Sequence, residues 1–178
     1  MQCRLRVKDI PFVMGQGLYM GSEDLKPGDS IEPAIVNGTL SVGVIGLAET
    51  LVALTGYHHG QNEDSQTLGV EIMEHIKEKV DEACERFDLN YTFLATPAEG
   101  LCKRFVKIDR QEYGIIPGVT DREYYTNSFH IPVYYPISIF DKIRLEGKYH
   151  KHFDAGHISY VELPSPPQHN LQAVEKLL

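Results

Sequence analysis

The chain has 178 residues, of which 42% are hydrophobic and 24% are charged, and its formal net charge is -8. This composition excludes intrinsic disorder, because there is enough apolar surface to offset the entropy of ordering. The acidic balance argues against non-specific nucleic-acid binding, which requires a basic footprint. No run approaches the roughly 20 apolar residues of a membrane helix, and residues 1–8 lack the apolar stretch of a signal peptide, so we expect a cytoplasmic protein.

Residues 1–38 contain many prolines and glycines, and this spacing predicts loops. The run 39–45 alternates and then becomes apolar, as in a buried strand. A short helix is predicted over 47–54, with Gly56 placed as its C-terminal stop.

A longer helix is predicted to follow the acidic cluster at 63–65, because carboxylates suit the partial positive charge of a helix N-terminus. We interpret Cys84, on its apolar face, as a core residue. Apolar side chains recur on that face at three- and four-residue steps: Leu68, Ile72, Ile76, Val80, Ala83, Cys84 and Phe87.

β-branched and aromatic residues predict a strand over 90–95, which leads directly into the next helix. Thr96, Pro97 and Glu99 have the order of a capping box, with Thr96 as the N-cap and Pro97 at the first helical position. The helix is predicted to continue towards Gly114, with one face formed by Leu101, Phe105 and Ile108.

The start of this helix is a candidate phosphate-binding turn. Backbone N–H groups without helical partners, reinforced by the helix dipole, bind anions, and α/β proteins place phosphates at the carboxyl ends of strands. The alternative is a turn that only begins a helix. The candidate residues are Thr96, Pro97, Ala98, Glu99 and Gly100.

Residues 115–137 are aromatic and interrupted by prolines, which predicts irregular structure or short strands. A further strand is predicted over 157–163, and residues 170–178 begin a helix. The alternation of strands and helices predicts an α/β fold with parallel strands. The short last helix leads us to expect a chain cut from a longer one.

Several polar residues are candidates for chemistry. The adjacent His58 and His59 could hold a metal or carry a proton, but they lack an i, i+4 partner, which favours a surface loop. Residues 124–130 combine polar groups with aromatic rings, which suits a pocket wall or a buried hydrogen-bond network. The histidines at 150, 152 and 157 have no ligand at a familiar spacing, so no metal site is predicted.

Five segments resemble one family, the catalytic subunit of anaerobic (class III) ribonucleoside-triphosphate reductase. They lie in the family's order at 37–51, 54–60, 95–100, 116–130 and 155–160, and include the runs NGTLSVGVIGLAETL, ATPAEG and IPGVTDREYYTNSFH. The resemblance implies part of a ten-stranded α/β barrel of the glycyl radical enzyme (pyruvate formate-lyase-like) type. Residues 1–178 would form one partial barrel domain, with a loop-rich part at 1–38, an α/β core at 39–163 and a tail at 164–178.

The resemblance also implies reduction of ribonucleoside triphosphates to deoxyribonucleotides by glycyl and thiyl radical chemistry. In the family, the phosphates of the substrate lie at a helix N-terminus, which supports the turn at 96–100. His58, His59, Tyr125 and Asn127 are possible lining residues of the same cavity, and a structural hydrogen-bond network is the alternative for each. The full-length family implies a homodimer, a radical S-adenosylmethionine iron–sulfur activase, a structural zinc, formate as reductant, and ATP or deoxynucleotide effectors.

The glycyl radical motif RVCGY and the family's cysteine-rich zinc motif do not occur in the sequence. Cys3 stands in a run that faintly echoes the surroundings of the thiyl cysteine, although the residues that follow differ. We therefore expect a fragment without cofactors of its own. The alternatives are another pyruvate formate-lyase-like glycyl radical enzyme, such as an acyltransferase, and a nucleotide-binding module without chemistry.

We expect the isolated chain to reduce no ribonucleoside triphosphate, because radical transfer requires the radical glycine and the thiyl cysteine within one closed barrel. The measurement is deoxyribonucleotide formation by the purified chain with activase, formate and reductant. Incomplete sheet edges should also make the chain self-associate at high concentration. Turnover by this polypeptide alone would contradict the expectation that it is a fragment.

Overall fold

The structure is a computed structural model, and it describes residues 4–161 and 171–175. The chain divides into two compact units whose segments alternate in sequence. The first contains the described residues of Met1–Val42 together with His75–Phe93, and the second contains Gly43–Glu74 and the described residues of Leu94–Leu178.

The N-terminal part of the first unit forms only short elements, as its proline and glycine content predicts. They are a 3-10 turn at Val7–Asp9, helix α1 at Pro11–Met14 and helix α2 at Glu32–Ile35. Each of these elements alone is too short to be stable. A small apolar core holds them together. This core consists of Val7, Met14, Ile31 and Ala34, with Ile10 and Leu25 packed against it.

Two parallel strands, β1 at Thr39–Gly43 and β2 at Asn90–Leu94, form a sheet. Asn90 Nδ2 donates to Thr39 Oγ1 at 2.8 Å, and the Ser41 and Thr92 hydroxyls lie 3.0 Å apart. Each pair is separated by 51 residues, and this constant offset requires strands that run in the same direction. The prediction of parallel α/β structure is confirmed, but the prediction of a buried first strand is wrong, because all of β1 is exposed.

Helices α3 at Leu47–Thr55 and α4 at Glu63–Phe87 confirm the two helices predicted from periodicity. Glycines in the left-handed region flank α3, Gly46 with φ 78° and Gly56 with φ 85°. The Asn62 side chain accepts the Ser65 N–H at 2.7 Å and so begins α4 at the acidic cluster. Cys84 is half-buried, and its thiol donates to the Tyr91 carbonyl at 3.2 Å.

Helix α5 spans Glu99–Tyr113 and ends at Gly114, as predicted, but its start differs from the prediction. The N-cap is Ala98, and Thr96 makes no capping hydrogen bond; its Oγ1 instead lies 3.4 Å from the Leu94 carbonyl. Thr96 packs so closely over Gly43 that a Cβ there would lie 1.7 Å from Oγ1. The capping-box prediction is therefore wrong, because tertiary packing against β1 takes the threonine away from the helix start.

The face of α5 predicted from Leu101, Phe105 and Ile108 exists, but it is exposed by 43%, 41% and 44%. The helix instead buries Cys102 and Val106. The local pattern identifies the apolar face correctly. The described part of the chain, however, covers only the adjacent face of α5, which carries Cys102 and Val106.

Helix α6 at Ile139–His150 was not predicted. Ser138 caps it by accepting the Asp141 N–H at 3.1 Å, and Gln66 Nε2 donates to the Leu145 carbonyl at 3.2 Å, which fixes α6 against α4. Residues 157–161 form no strand, so that prediction is wrong over this range, and residues 162–163 lie outside the described part. Helix α7 at Leu171–Glu175 falls within the last predicted helix. None of the described helices is both long and apolar enough to cross a membrane.

Gly69 allows α4 to approach Tyr149 of α6, and we expect Gly69→Ala to lower the free energy of unfolding by about 1–2 kcal/mol. An alanine Cβ would lie 2.6 Å from Tyr149 Oη and 3.1 Å from Leu51 Cδ1. Urea unfolding measures the loss. Adding Tyr149→Phe removes the clashing hydroxyl, so the double variant should be more stable than the sum of the single changes predicts. Additive losses would contradict this packing.

Candidate functional site

The second unit contains a cavity of about 220 Å³. Its wall is formed by the start of α3, the first turn of α5, the segment 122–134, the side chain of Lys142 on α6, and Tyr160. Several lining side chains could bind or react with a ligand. They include Glu49, Cys102, Arg122, Asn127, His130 and Lys142.

The segment 126–128 closes the start of α3. The Gly46 N–H donates to the Thr126 carbonyl at 2.8 Å, and the Leu47 N–H donates to the Ser128 carbonyl at 3.3 Å. N–H groups at a helix start have no helical partner, so this segment satisfies them from outside the helix. Ser128 adopts φ 45°, a left-handed conformation that costs a non-glycine residue about 1 kcal/mol or more.

Asn127, in the middle of the same segment, closes the start of α5. Its Oδ1 accepts the Ala98 N–H at 3.1 Å and the Cys102 thiol at 3.0 Å. The asparagine thus provides from a distant loop the capping acceptor that Thr96 was predicted to provide locally. Three consecutive residues therefore join the starts of two helices at the cavity wall.

Glu49 is a buried carboxyl group of α3 that is 5% exposed. Its Oε1 accepts both the Thr126 N–H at 3.0 Å and the Thr126 hydroxyl at 2.7 Å. Burial raises the pKa of Glu49, and this outweighs the opposing effect of the Thr126 hydrogen bonds. The group therefore combines a fixed position with a pKa above its ordinary value.

The Cys102 thiol faces the cavity from the first turn of α5. Burial raises its pKa, and the nearby Glu49 raises it further. A thiol with a raised pKa is a poor nucleophile, so Cys102 acts here as a packed hydrogen-bond donor to Asn127.

Two cationic side chains line the cavity, Arg122 and Lys142. The Arg122 guanidinium lies 3.4 Å from the centroid of the Tyr134 ring, and this contact orients it. The Lys142 ammonium donates to the Tyr160 carbonyl at 2.6 Å. Both side chains could contribute positive charge to the binding of an anionic group in the cavity.

The predicted lining residues separate into two places. Tyr125 and Asn127 lie at the cavity wall, and the Tyr125 hydroxyl donates to Asp109 Oδ2 at 2.7 Å. Burial, followed by the bond to Asp109, raises the pKa of Tyr125, so it remains a phenol. His58 and His59 do not line this cavity.

His58 and His59 are buried, with exposed fractions of 2% and 1%, so the interpretation as a surface loop is wrong. Their rings pack edge-on against Tyr135 and Tyr149, with centroid distances of 4.7 Å and 5.5 Å. Tertiary contacts with residues far along the chain bury them, and no local pattern indicates this. Burial lowers the pKa of His58 to about 4 and that of His59 to about 3.

The predicted phosphate turn stands at the edge of the cavity. Glu99 contributes to its lining, Gly100 and Pro97 are exposed, and the Ala98 N–H is occupied by Asn127. Cys3 lies outside the described residues. Among residues 4–161 and 171–175, no group of three His, Cys, Asp or Glu side chains could hold a metal ion.

Comparison with known proteins gives one family. The family model described as anaerobic ribonucleoside-triphosphate reductase matches residues 1–178. The curated Escherichia coli (strain K12) anaerobic ribonucleoside-triphosphate reductase is 40% identical over 154 residues, which are 85% of this chain and 22% of that protein. The protein of the same name from Enterobacteria phage T4 is 40% identical over 153 residues, 85% of this chain and 24% of the relative. The chain therefore spans less than a quarter of these relatives.

Solved structures show the same fold. The anaerobic ribonucleotide reductase from Thermotoga maritima with dATP bound in the specificity site has a TM-score of 0.65 and 18% identity, covering 96% of this chain and 28% of that chain. The same enzyme with glycerol in the active site gives a TM-score of 0.64 at 19% identity, over 96% of this chain and 27% of that chain. At these identities the likeness establishes the fold alone.

Burial of His58 and His59 makes folding stability depend on pH. Because the folded state binds fewer protons than the unfolded chain below pH 6.5, stability should be complete above that pH and fall as the pH drops towards 4 and 3. Each group contributes a slope of about 1.4 kcal/mol per pH unit within its window. Urea unfolding at pH 7 and pH 5 measures this loss.

Replacing His59 with Phe should remove about half of the slope of the stability profile between pH 6.5 and 5, because His58 keeps its own contribution. Replacing the exposed His75 with Gln should leave the profile unchanged. If the His59→Phe variant lost as much stability on acidification as the parent does, burial of a neutral imidazole at this position would be contradicted.

Proposed function

Because the chain belongs to the anaerobic ribonucleoside-triphosphate reductase family, we propose that it forms part of the nucleotide-holding wall of the catalytic barrel in such an enzyme. The complete enzyme would reduce ribonucleoside triphosphates to deoxyribonucleoside triphosphates in the cytoplasm. The observation that carries the proposal is the cavity that joins the first turn of α5 to Arg122 and Lys142.

The first turn of α5 would hold the phosphates, with Thr96, Pro97, Ala98, Glu99 and Gly100 as the turn. Asn127 occupies the Ala98 N–H, so the N–H groups of Glu99 and Gly100 are the donors left for an anion. Both residues are exposed, which permits a ligand to approach them. The dipole of the 15-residue helix adds to this attraction.

Charges in the cavity favour an anionic ligand. Arg122 and Lys142 are the cationic side chains of the lining, and burial raises the pKa of Glu49 above its ordinary value. Glu99 projects from the first turn, where the helix dipole partly offsets its charge. The presence of Arg122 and Lys142 in the lining supports phosphate binding there.

The cavity volume of about 220 Å³ is below the 300–1,000 Å³ of pockets that enclose a whole small-molecule ligand. We therefore assign to it the sugar and the adjoining phosphate of a nucleotide. Tyr125 and Asn127 would line the sugar end. His58 and His59 would act as structural supports through their packing against Tyr135 and Tyr149.

The ten-stranded barrel and the single partial domain are proposals that rest on the family. Two features support them: β1 exposes Leu40 and Val42 by 46% and 38%, and α5 exposes its face of Leu101, Phe105 and Ile108. Additional strands and helices would cover these surfaces in a complete barrel. Unpartnered strand edges are otherwise sites of association.

The remaining components of the reaction are proposed for the complete enzyme. The glycyl radical would supply hydrogen-abstraction chemistry, with formate as reductant and a radical S-adenosylmethionine activase as partner. The described residues do not offer the ligands of a structural zinc, so no step involves this metal here. A homodimer with deoxynucleotide effector sites completes the proposal, and one neighbouring fold has dATP in its specificity site.

Replacing Gly100 with Ala tests the phosphate turn. No atom lies within 4 Å of the added Cβ, so the helix should keep or gain stability, by up to about 1 kcal/mol. A triphosphate resting on the N–H groups would meet the new methyl, and we expect CTP to bind about tenfold more weakly. Calorimetric titration of the complete reductase subunit measures this.

Gly147→Ala is the matched control, because Gly147 also lies in a helix with no atom within 4 Å of an added Cβ, and it does not line the cavity. It should leave the affinity for CTP unchanged. Equal CTP affinity in the two variants would argue against the turn at 96–100 as the phosphate site.

A further inference from the structure

A buried histidine–carboxylate pair adjoins the cavity and has no part in phosphate binding. His130 lines the cavity and is 6% exposed, while Glu146 of α6 is fully buried. His130 Nδ1 lies 3.3 Å from Glu146 Oε2. Neither atom has a hydrogen-bond partner within the described residues. Contacts of this kind commonly tighten when a ligand binds.

Glu146 is fixed by its other oxygen. Oε1 accepts the Ile131 N–H at 2.9 Å and lies 3.8 Å from the Lys142 ammonium, one helical turn away. Lys142 therefore lies where it supplies positive charge to the buried carboxylate. The carboxylate is held in place whether or not a ligand is present.

The arrangement determines which nitrogen of His130 meets a ligand. A carboxylate beside Nδ1 favours the tautomer with the proton on that atom. The ring lines the cavity while Nδ1 faces Glu146, so Nε2 is the nitrogen left to face the cavity, with a free lone pair. Phe129 and Tyr160 hold the ring, with centroid distances of 4.8 Å and 5.0 Å.

We propose that His130 contacts the substrate by accepting a hydrogen bond from a ribose hydroxyl at Nε2, and that Glu146 is its positioning residue. The inference rests on the proposed function and deepens it. Phosphate oxygens only accept hydrogen bonds from a protein, so they match Arg122 and Lys142 and do not match a neutral imidazole acceptor. The ribose hydroxyls are the donors that all ribonucleotides share.

Other titratable groups lie near the His130–Glu146 pair, but they do not take over its role. His150 of α6 has a pKa lowered by burial and by His157, and His59 has a pKa of about 3. At pH 8 both are neutral, as ordinary histidines are. Binding measurements at pH 8 therefore report on hydrogen bonding by His130 with little change in the charge around it.

The test compares Glu146→Gln with the parent in the complete reductase subunit. Glutamine can still accept the Ile131 N–H, but its NH2 group would face Nδ1 and so move the ring proton to Nε2, which then becomes a donor. Equilibrium binding of CTP, 2′-deoxyCTP and 3′-deoxyCTP is measured at pH 8. In this variant the ribose hydroxyl could meet Nε2 only by accepting, which leaves its own proton without this partner, so we expect CTP to bind several-fold more weakly, while the analogue that lacks the contacted hydroxyl keeps its affinity.

His130→Phe keeps a ring and removes both nitrogens, so it should give the larger loss, about tenfold, of discrimination between CTP and that analogue. It tests the proposal even if Glu146→Gln does not fold. His152→Gln is the control, a buried histidine that does not line the cavity. It should preserve the discrimination even where it lowers stability.

The outcomes separate the two proposals. If Glu146→Gln and His130→Phe weaken all three nucleotides equally, or weaken none, the role of His130 is overturned while nucleotide binding stands. If the parent enzyme binds none of the three nucleotides, the proposed function fails, and the inference fails with it.

Discussion

The site depends on one constraint, the closure of two helix starts by the segment 126–128. Thr126 and Ser128 accept the Gly46 and Leu47 N–H groups at the start of α3, and Asn127 accepts the Ala98 N–H at the start of α5. Buried backbone donors left without acceptors cost several kcal/mol together, so the segment has little freedom to move. Glu49 reinforces it from α3 by accepting both donors of Thr126. The cavity walls are consequently rigid before any ligand arrives, which favours binding.

Local patterns in the sequence predict the elements whose ends are determined locally. Helices α3 and α4 begin and end as their glycines, acidic cluster and apolar periodicity indicate. Helix α5 ends at its glycine, but its start is determined by Asn127, which lies 29 residues from Ala98. Helix α6 follows a serine cap in a stretch whose aromatic residues and prolines indicate loops instead. A pattern of neighbours cannot report a contact made across the fold.

The candidate site shows the same division. Residues 124–130 were predicted to form a pocket wall or a buried network, and Tyr125, Asn127 and His130 do line the cavity. Glu49 was not predicted because it stands in an apolar helix without a motif, and its role arises only from Thr126. Arg122 and Lys142 lie in separate parts of the sequence, so their spacing carries no signal. The burial of His58 and His59 depends on tyrosines that arrive from far along the chain.

The shared closure at 126–128 also limits how this protein can change in length. An inserted or deleted residue between Thr126 and Ser128 would shift the acceptors away from both helices at once, and no compensating change in one helix could restore the other. The exposed residues 121–124, just before this segment, do not close two helix starts. Length variation among relatives is therefore expected to avoid these three residues, whose count stays fixed.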